Sequence, residues 1–318
     1  MQRQMLAIFM LLLLFQTIPL EAQPAATTNG EPVALTDVAL YLMSPKWSPD
    51  GEKIAMTEAN YVGIWVLEPA TNDYLQVTDE VGAGFGFQWS NDSRRILCRV
   101  SKFEKGRRYN AVKLFDLQTG QVQQLTEYRT LMTGLPQWAE NDAGVYLHSN
   151  KGLEIFEVKG EGVVSAKPKL RQRKVLYVDD NALYHFENQL KKRIVKKLDG
   201  IYLNTTLSPD GGKLAFELYA GNMYVLDLET NELTDLGEGN HPEWAPDSKR
   251  LVYMIVRDDG HDITESDIYA INIDGSGKTN LTQNREQIQM HPSWSPDGNK
   301  IAFDEYRTGV IYILELAP

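Results

Sequence analysis

The 318-residue chain holds one cysteine, Cys98, so neither an intrachain disulfide framework nor a cysteine-built zinc site can form. It lacks an excess of basic charge: 32 Lys and Arg against 43 Asp and Glu leave −11, the reverse of the footprint of a nucleic-acid binder. It has no apolar run of the roughly 20 residues needed to span a bilayer. Catalytic signatures are missing as well: there is no Gly-x-Ser-x-Gly elbow, no His-Glu-x-x-His and no phosphate-cradling glycine loop. The glycines of GAGFG, Gly82 to Gly86, lead into a strand and not a helix, which excludes a dinucleotide reading. Cys98 lies in an apolar alternating stretch and reads as an inert core thiol. What is present is enough to build a core, because 42% of the residues are hydrophobic and 10% aromatic.

The N-terminus reads as a secretory signal over residues 1–22. Arg3 precedes an apolar run from Met5 to Phe15, and a small residue, Ala22, stands at the exit. A polar leader follows over 23–32, then one domain over 33–318. The protein is therefore expected in the periplasm or secreted, with no integral membrane span once the signal is removed.

One pattern recurs along the rest. WSPDGEKIAM starts at Trp47, WSNDSRRILC at Trp89 and WAENDAGVYL at Trp138; LSPDGGKLAF starts at Leu207, WAPDSKRLVY at Trp244 and WSPDGNKIAF at Trp294. In Ser-Pro-Asp-Gly the proline presets a type I turn, Ser and Asp bond nearby backbone, and Gly closes it. Each turn joins two antiparallel strands, and a third such as MYVLDL and a shorter fourth such as LQVTD follow. Successive spacings of 37–50 residues suit four-stranded propeller blades, except the gap of 69 between Trp138 and Leu207. That gap holds KVLYVDDNALYHF (174–186), a copy without the Trp and Pro. The expectation is an all-β fold, a β-propeller with seven blades favoured and six with an insertion as the alternative. The last unit ends after its third strand. PVALTD from Pro32 resembles a fourth strand, so Val33–Thr36 is expected to pair with the C-terminal strand and close the ring.

WSPDGxKIAF, followed by a strand ending in Asp-Leu and a Leu-Thr strand, resembles the TolB-type propeller repeat, a WD40-like unit also called PD40. The resemblance covers nearly the whole chain after residue 32. It implies a fold also found in the periplasmic TolB protein, in the propellers of prolyl-oligopeptidase-like peptidases and in oligogalacturonate lyases. The chain departs from the first two: no α/β domain stands before Val33, and no hydrolase domain follows the propeller.

His241 and His291 occupy the same place in successive units, three residues before the Trp, which puts them side by side near one mouth of the channel. In the lyases, similar His-Pro positions supply part of a metal site. With Gln289 they form one candidate ligand-binding group, with Gln287 nearby; a third matching histidine is not evident. A second candidate is basic. Between Lys167 and Lys197 ten basic residues face three acidic ones, +7 against −18 elsewhere. Its members include Arg171, Arg173, Lys174, Lys191, Lys192, Arg193, Lys196 and Lys197. Such a patch would steer an acidic partner, or Lys would protect an exposed strand edge. The pairs Asp179-Asp180, Asp258-Asp259 and Asp304-Glu305 read as solvated turns, as does the acidic loop Arg257–Asp267.

These features favour a non-catalytic scaffold that binds a protein partner or an anionic glycan, acting as a monomer. No catalytic residue, cofactor or metal site is expected. A metal-assisted polysaccharide lyase, with a divalent ion at the two histidines, is the alternative.

Overall fold

The computed structural model describes residues 24–139, 142, 144–158, 175–179, 182–187, 190–193, 198, 200–283 and 286–317, and in the stretch 175–193 the side chains of Leu183 and Tyr184 alone. The described strands form seven antiparallel sheets, six of them meanders in chain order and the seventh completed by Val33–Ala34. The first holds Leu42–Trp47, Ile54–Glu58, Val62–Glu68 and Asp73–Val81. The second holds Gln88–Trp89, Arg95–Glu104, Arg107–Asp116 and Val122–Gln124, and the third Gln137–Trp138, Gly144–Ser149 and Gly152–Glu157. The fourth consists of Val175–Asp179, Ala182–Glu187 and Leu190–Arg193. The fifth starts at Tyr202–Leu207, the sixth at Asn240–Trp244 and the seventh at Gln289–Trp294.

The repeat builds each sheet the same way. Ser48 Oγ accepts from Lys53 N at 2.9 Å and donates to Asp50, whose Oδ1 accepts from Glu52 N at 3.0 Å. Ser90–Asp92, Ser208–Asp210 and Ser295–Asp297 repeat these bonds. The strand after the turn is buried on both faces, because period-2 alternation aims its side chains at two neighbouring sheets. Ile301 and Phe303 of the seventh sheet pack with Val252 and Ile268 of the sixth, while Ala302 packs with Leu42 and Ile54 of the first. In the second sheet Ile96 and Cys98 pack toward the first, and Leu97 toward Trp138 and Val145 of the third. Full burial of one such side chain, Phe303, contributes about 1.5–3 kcal/mol.

Neighbouring turns interlock. Asp50 N donates to Ser93 Oγ at 2.9 Å, Asn91 N to Asp142 Oδ2 at 2.7 Å and Asp210 N to Ser248 Oγ at 3.1 Å. Trp89 Nε1 reaches the Lys46 carbonyl of the sheet before it, and Trp244 Nε1 the Thr206 carbonyl. These tryptophans sit between sheets, as their place in the repeat implies.

The fold is the all-β propeller expected, and the favoured count of seven blades is corrected to the alternative of six, each built on the repeat. The fourth sheet pairs as a meander, Val175 opposite Phe186, but has no copy of the repeat motif that starts at Trp47, Trp89, Trp138, Leu207, Trp244 and Trp294 in the other six. Among the described residues it contributes Leu183 to the core of the fifth sheet.

The two chain ends meet in the seventh sheet. Val33 pairs with Ile313 and Ala34 with Tyr312, and Thr36 Oγ1 accepts from Ile311 N. The leader lies against the propeller too. Ala25 and Ala26 are buried, Ala25 N donates to the Gly277 carbonyl, and Thr28 bridges Leu316. Two alanines fit where a polar tail was expected. The signal over 1–22 lies outside the described residues.

Candidate functional site

The first strand of most units bulges three residues before its last position, where the register shifts. Ser44, Asn204, His241 and His291 occupy that position with φ of 55°, 46°, 56° and 48°. Left-handed backbone is costly for residues other than glycine, and here it turns the N–H toward the preceding sheet. Ser44 N donates to Asp304 Oδ1 at 2.9 Å and His241 N to Glu217 Oε2 at 2.7 Å. Asp304 and Glu217 hold equivalent places in the second strands of their sheets. Arg99 holds that place in the second sheet and reverses the polarity: its Nη1 donates to the carbonyls of Met132 and Gly134 at 3.2 and 3.3 Å. Gly86 takes the bulge position in the second sheet with φ 69°, which accounts for one glycine of GAGFG.

The structure brings His241 and His291 together, their rings edge to face at 5.2 Å. His291 Nδ1 bonds Asp304 Oδ1 at 2.9 Å. Burial opposes a charge on His291, but the Asp304 carboxylate outweighs it and holds the imidazole above its ordinary pKa. His241 has no such carboxylate at its ring. Burial, then the neighbouring His291 and Lys46, push it down to about 3, and its Nδ1 is buried without a partner. Burial pushes Glu217 up, and Glu243 up against the pull of Lys46. Lys46 is itself held by the Phe87 carbonyl at 3.2 Å.

The other expected site residues fare differently. Gln289 is fully buried and turned to Thr282, whose Oγ1 donates to its Oε1 at 3.4 Å; Gln287 bonds Tyr312 Oη. Asp304, and neither glutamine, is thus the partner of the histidine pair, through His291 alone. The side chains of Lys191, Lys192 and Arg193, and residues Arg171, Arg173, Lys174, Lys196 and Lys197, lie outside the described residues. The solvated reading of Asp304-Glu305 is overturned: both are buried, Asp304 between the seventh and first sheets and Glu305 capping the turn at Thr308. The acidic loop is a turn, in which Asp259 Oδ1 accepts from His261 N and Asp262 N. Cys98 is fully buried and its thiol pushed up. Among the described residues no group of three or more His, Cys, Asp or Glu is placed to hold a metal ion, and no helix is long and apolar enough to cross a membrane.

A second feature concerns the surface. In a meander, alternate connections emerge at opposite ends, so the interlocked turns share one face with the hairpins between third and fourth strands, and the hairpins between second and third strands share the opposite face with the linkers between sheets. That opposite face carries nine of the fourteen exposed large apolar side chains, among them Phe85, Phe103, Leu131, Ile201, Tyr219 and Tyr306. Of the other five, Tyr74 and Val122 stand beside hairpins of the turn face, and Val33, Leu75 and Ile155 lie on strands. Tyr41 and Tyr61, both raised in pKa chiefly by burial and in part by Asp304, put the histidine pair toward this same face.

Residues 188–317 match the model of the TolB beta propeller domain family, PD40. The repeat in those residues is of the TolB β-propeller type. A TolB homolog of Chlorobium luteolum is 38% identical over 124 residues, 36% of this chain and 27% of that protein. This chain therefore matches about a quarter of the length of that curated relative. The crystal structure of TolB from Acinetobacter baumannii is similar with a TM-score of 0.53 at 19% identity, over 80% of this chain and 57% of that one. An oligogalacturonate lyase in complex with manganese is similar with a TM-score of 0.53 at 15% identity, over 93% and 96%. At these identities the two structures show the fold alone.

Proposed function

We propose that this protein is a non-catalytic TolB-type propeller that binds a protein partner on the face carrying the apolar side chains, in the periplasm or outside the cell. The observation that carries the reading is the concentration of those side chains on one face, nine of the fourteen. Clustered exposed apolar surface marks interaction sites, and aliphatic members such as Leu131 and Ile201 favour a protein over a glycan. The secretory signal supports the location, and pairing of Val33–Ala34 with the C-terminal strand supports a ring closed by the N-terminal segment. The test is crosslinking capture from the native envelope with wild-type protein and with Leu131→Glu/Tyr219→Glu. The reading requires a partner recovered by the wild type and lost by the variant; equal recovery by both sinks it.

A second reading, the metal-assisted lyase, is favoured by one observation. A carboxylate bonded to one ring nitrogen of a histidine, as Asp304 is to His291, is how metal-binding imidazoles are oriented. The donor set is short, however: His291 Nε2 and the His241 ring are two nitrogens, and catalytic sites of this kind use three protein ligands. The residues described do not fit a complete divalent site. Metal analysis of the purified protein separates the readings, since a stoichiometric divalent ion lost in His241→Asn would favour the lyase.

A further inference from the structure

In the second sheet the cations held in the body of the sheet have carboxylate partners. Arg94 and Arg95 share Asp116, Lys102 meets Glu104 and Lys113 meets Glu80. Lys105 and Arg107 sit at the exposed hairpin tip. Arg99 and Arg108 are the exceptions among the described residues. Arg99 is half-buried and spends Nη1 on two carbonyls, which leaves Nε and Nη2 without a partner among the described residues. Arg108 donates from Nε and Nη2 to Ser101 Oγ at 3.0 and 2.8 Å, a neutral acceptor. The two guanidiniums repel each other, and with burial this lowers the pKa of Arg99. A chain with an excess of 11 negative charges thus leaves two neighbouring guanidiniums without a counter-charge.

The linker from Gly82 to Gly86 runs along both. A Cβ at Gly82 would lie 3.2 Å from Arg108 Nη2 and 2.9 Å from Ser101 Oγ, so the backbone passes close to that guanidinium. Phe85, at the other end, has its ring 5.7 Å from Arg99 Cζ and edge to face with Tyr61 at 5.1 Å. Phe85 is 43% exposed. Guanidinium forks match carboxylates in bidentate geometry.

We infer that Arg99 and Arg108 form a receptor for an acidic side chain of a bound peptide segment, with an adjacent apolar side chain of that segment seated on Phe85. The inference rests on the protein-binding reading of this face and names the chemistry of what it takes. A partner carboxylate supplies the counter-charge the fold omits, and the apolar neighbour covers the exposed ring.

The experiment uses the full chain and a fluorescein-labelled N-acetyl-Glu-Phe-Glu-Phe amide, with the Lys-Phe counterpart and trigalacturonate as comparisons. Fluorescence anisotropy is expected to show binding of the acidic peptide that weakens at least tenfold in Arg108→Gln and in Arg99→Gln. Lys102→Gln, which removes a paired charge on the same sheet, is expected to leave it unchanged, and the Lys-Phe peptide is expected not to bind. Arg108 is exposed, so its variant folds even if Arg99→Gln does not. The inference is overturned if the acidic peptide does not bind, if it binds wild type and Arg108→Gln alike, or if trigalacturonate alone shows the arginine dependence. Arginine-dependent peptide binding alongside equal envelope capture by wild type and Leu131→Glu/Tyr219→Glu would sink the broader apolar-face reading while leaving this site standing.

Discussion

Ser44 and Asp304 are 260 residues apart in sequence and joined by a 2.9 Å hydrogen bond from the Ser44 N–H to the Asp304 carboxylate. The bond ties the first sheet to the seventh, and His291 adds a second donor to the same carboxylate. Asp304→Ala would leave the buried Ser44 N–H without its acceptor and His291 without its counter-charge. Charge-assisted bonds contribute about 1.5–3 kcal/mol, so a loss of about 2–3 kcal/mol is expected in urea unfolding. Asp304→Asn keeps an acceptor and is expected to lose less. Equal stability of wild type and Asp304→Ala would show that this bond does not hold the two sheets.

Ser93 occupies the last turn position with φ 57°, where other units have Gly51, Gly211 and Gly298. The hydroxyl accepts from Asp50 N of the preceding sheet. Ser93→Ala keeps the backbone strain and loses the bond, so it should cost about 1 kcal/mol. Ser93→Gly loses the bond but removes a left-handed penalty of about 1 kcal/mol and should be close to neutral. Thermal melts of the pair check the order: alanine below glycine. The reverse order would mean that the left-handed backbone carries no such penalty, and an alanine variant as stable as wild type would mean that the hydroxyl contributes nothing to the seam.

The repeat and its turns were legible because they are local: Ser, Pro, Asp and Gly act within five residues of one another. The placement of His241 beside His291 was legible for the same reason, since equal offsets from the Trp give equal places in neighbouring sheets. Asp304 and Glu217 were not, although the same counting reaches them, four places into the strand after the turn. In an acidic chain a carboxylate near a hairpin tip looks solvated until the neighbouring sheet's bulged N–H is seen to approach it. The buried Ala25-Ala26 segment was missed because its partners, Gly277 and Leu316, are distant in sequence.

Leu131 and Tyr219 are 60% and 69% exposed, so replacing both by glutamate touches no core cluster. Surface substitutions of this kind usually stay within about 0.5 kcal/mol each. The double variant should melt within a few degrees of wild type while losing partner capture. A large drop in melting temperature would mean these side chains support the fold and not an interface.

The histidine pair should make stability fall with acid through His241. Its folded pKa of about 3 lies below the ordinary 6.5, so the unfolded chain binds the proton first as pH drops. Its contribution is complete above the ordinary value and declines as pH falls from there toward 3, by about 2 kcal/mol at pH 5. His291 works the other way. Its folded pKa is raised, so the stabilisation from its ion pair with Asp304 is fully present below 6.5 and is lost as pH rises through the raised value. Asparagine tolerates the left-handed backbone at both positions. In urea titrations, His241→Asn should therefore lose less stability than wild type between pH 7.5 and pH 5. The deficit of His291→Asn should be larger at pH 5.5 than at pH 9. If His241→Asn keeps the wild-type acid slope, the acid sensitivity arises from groups other than His241.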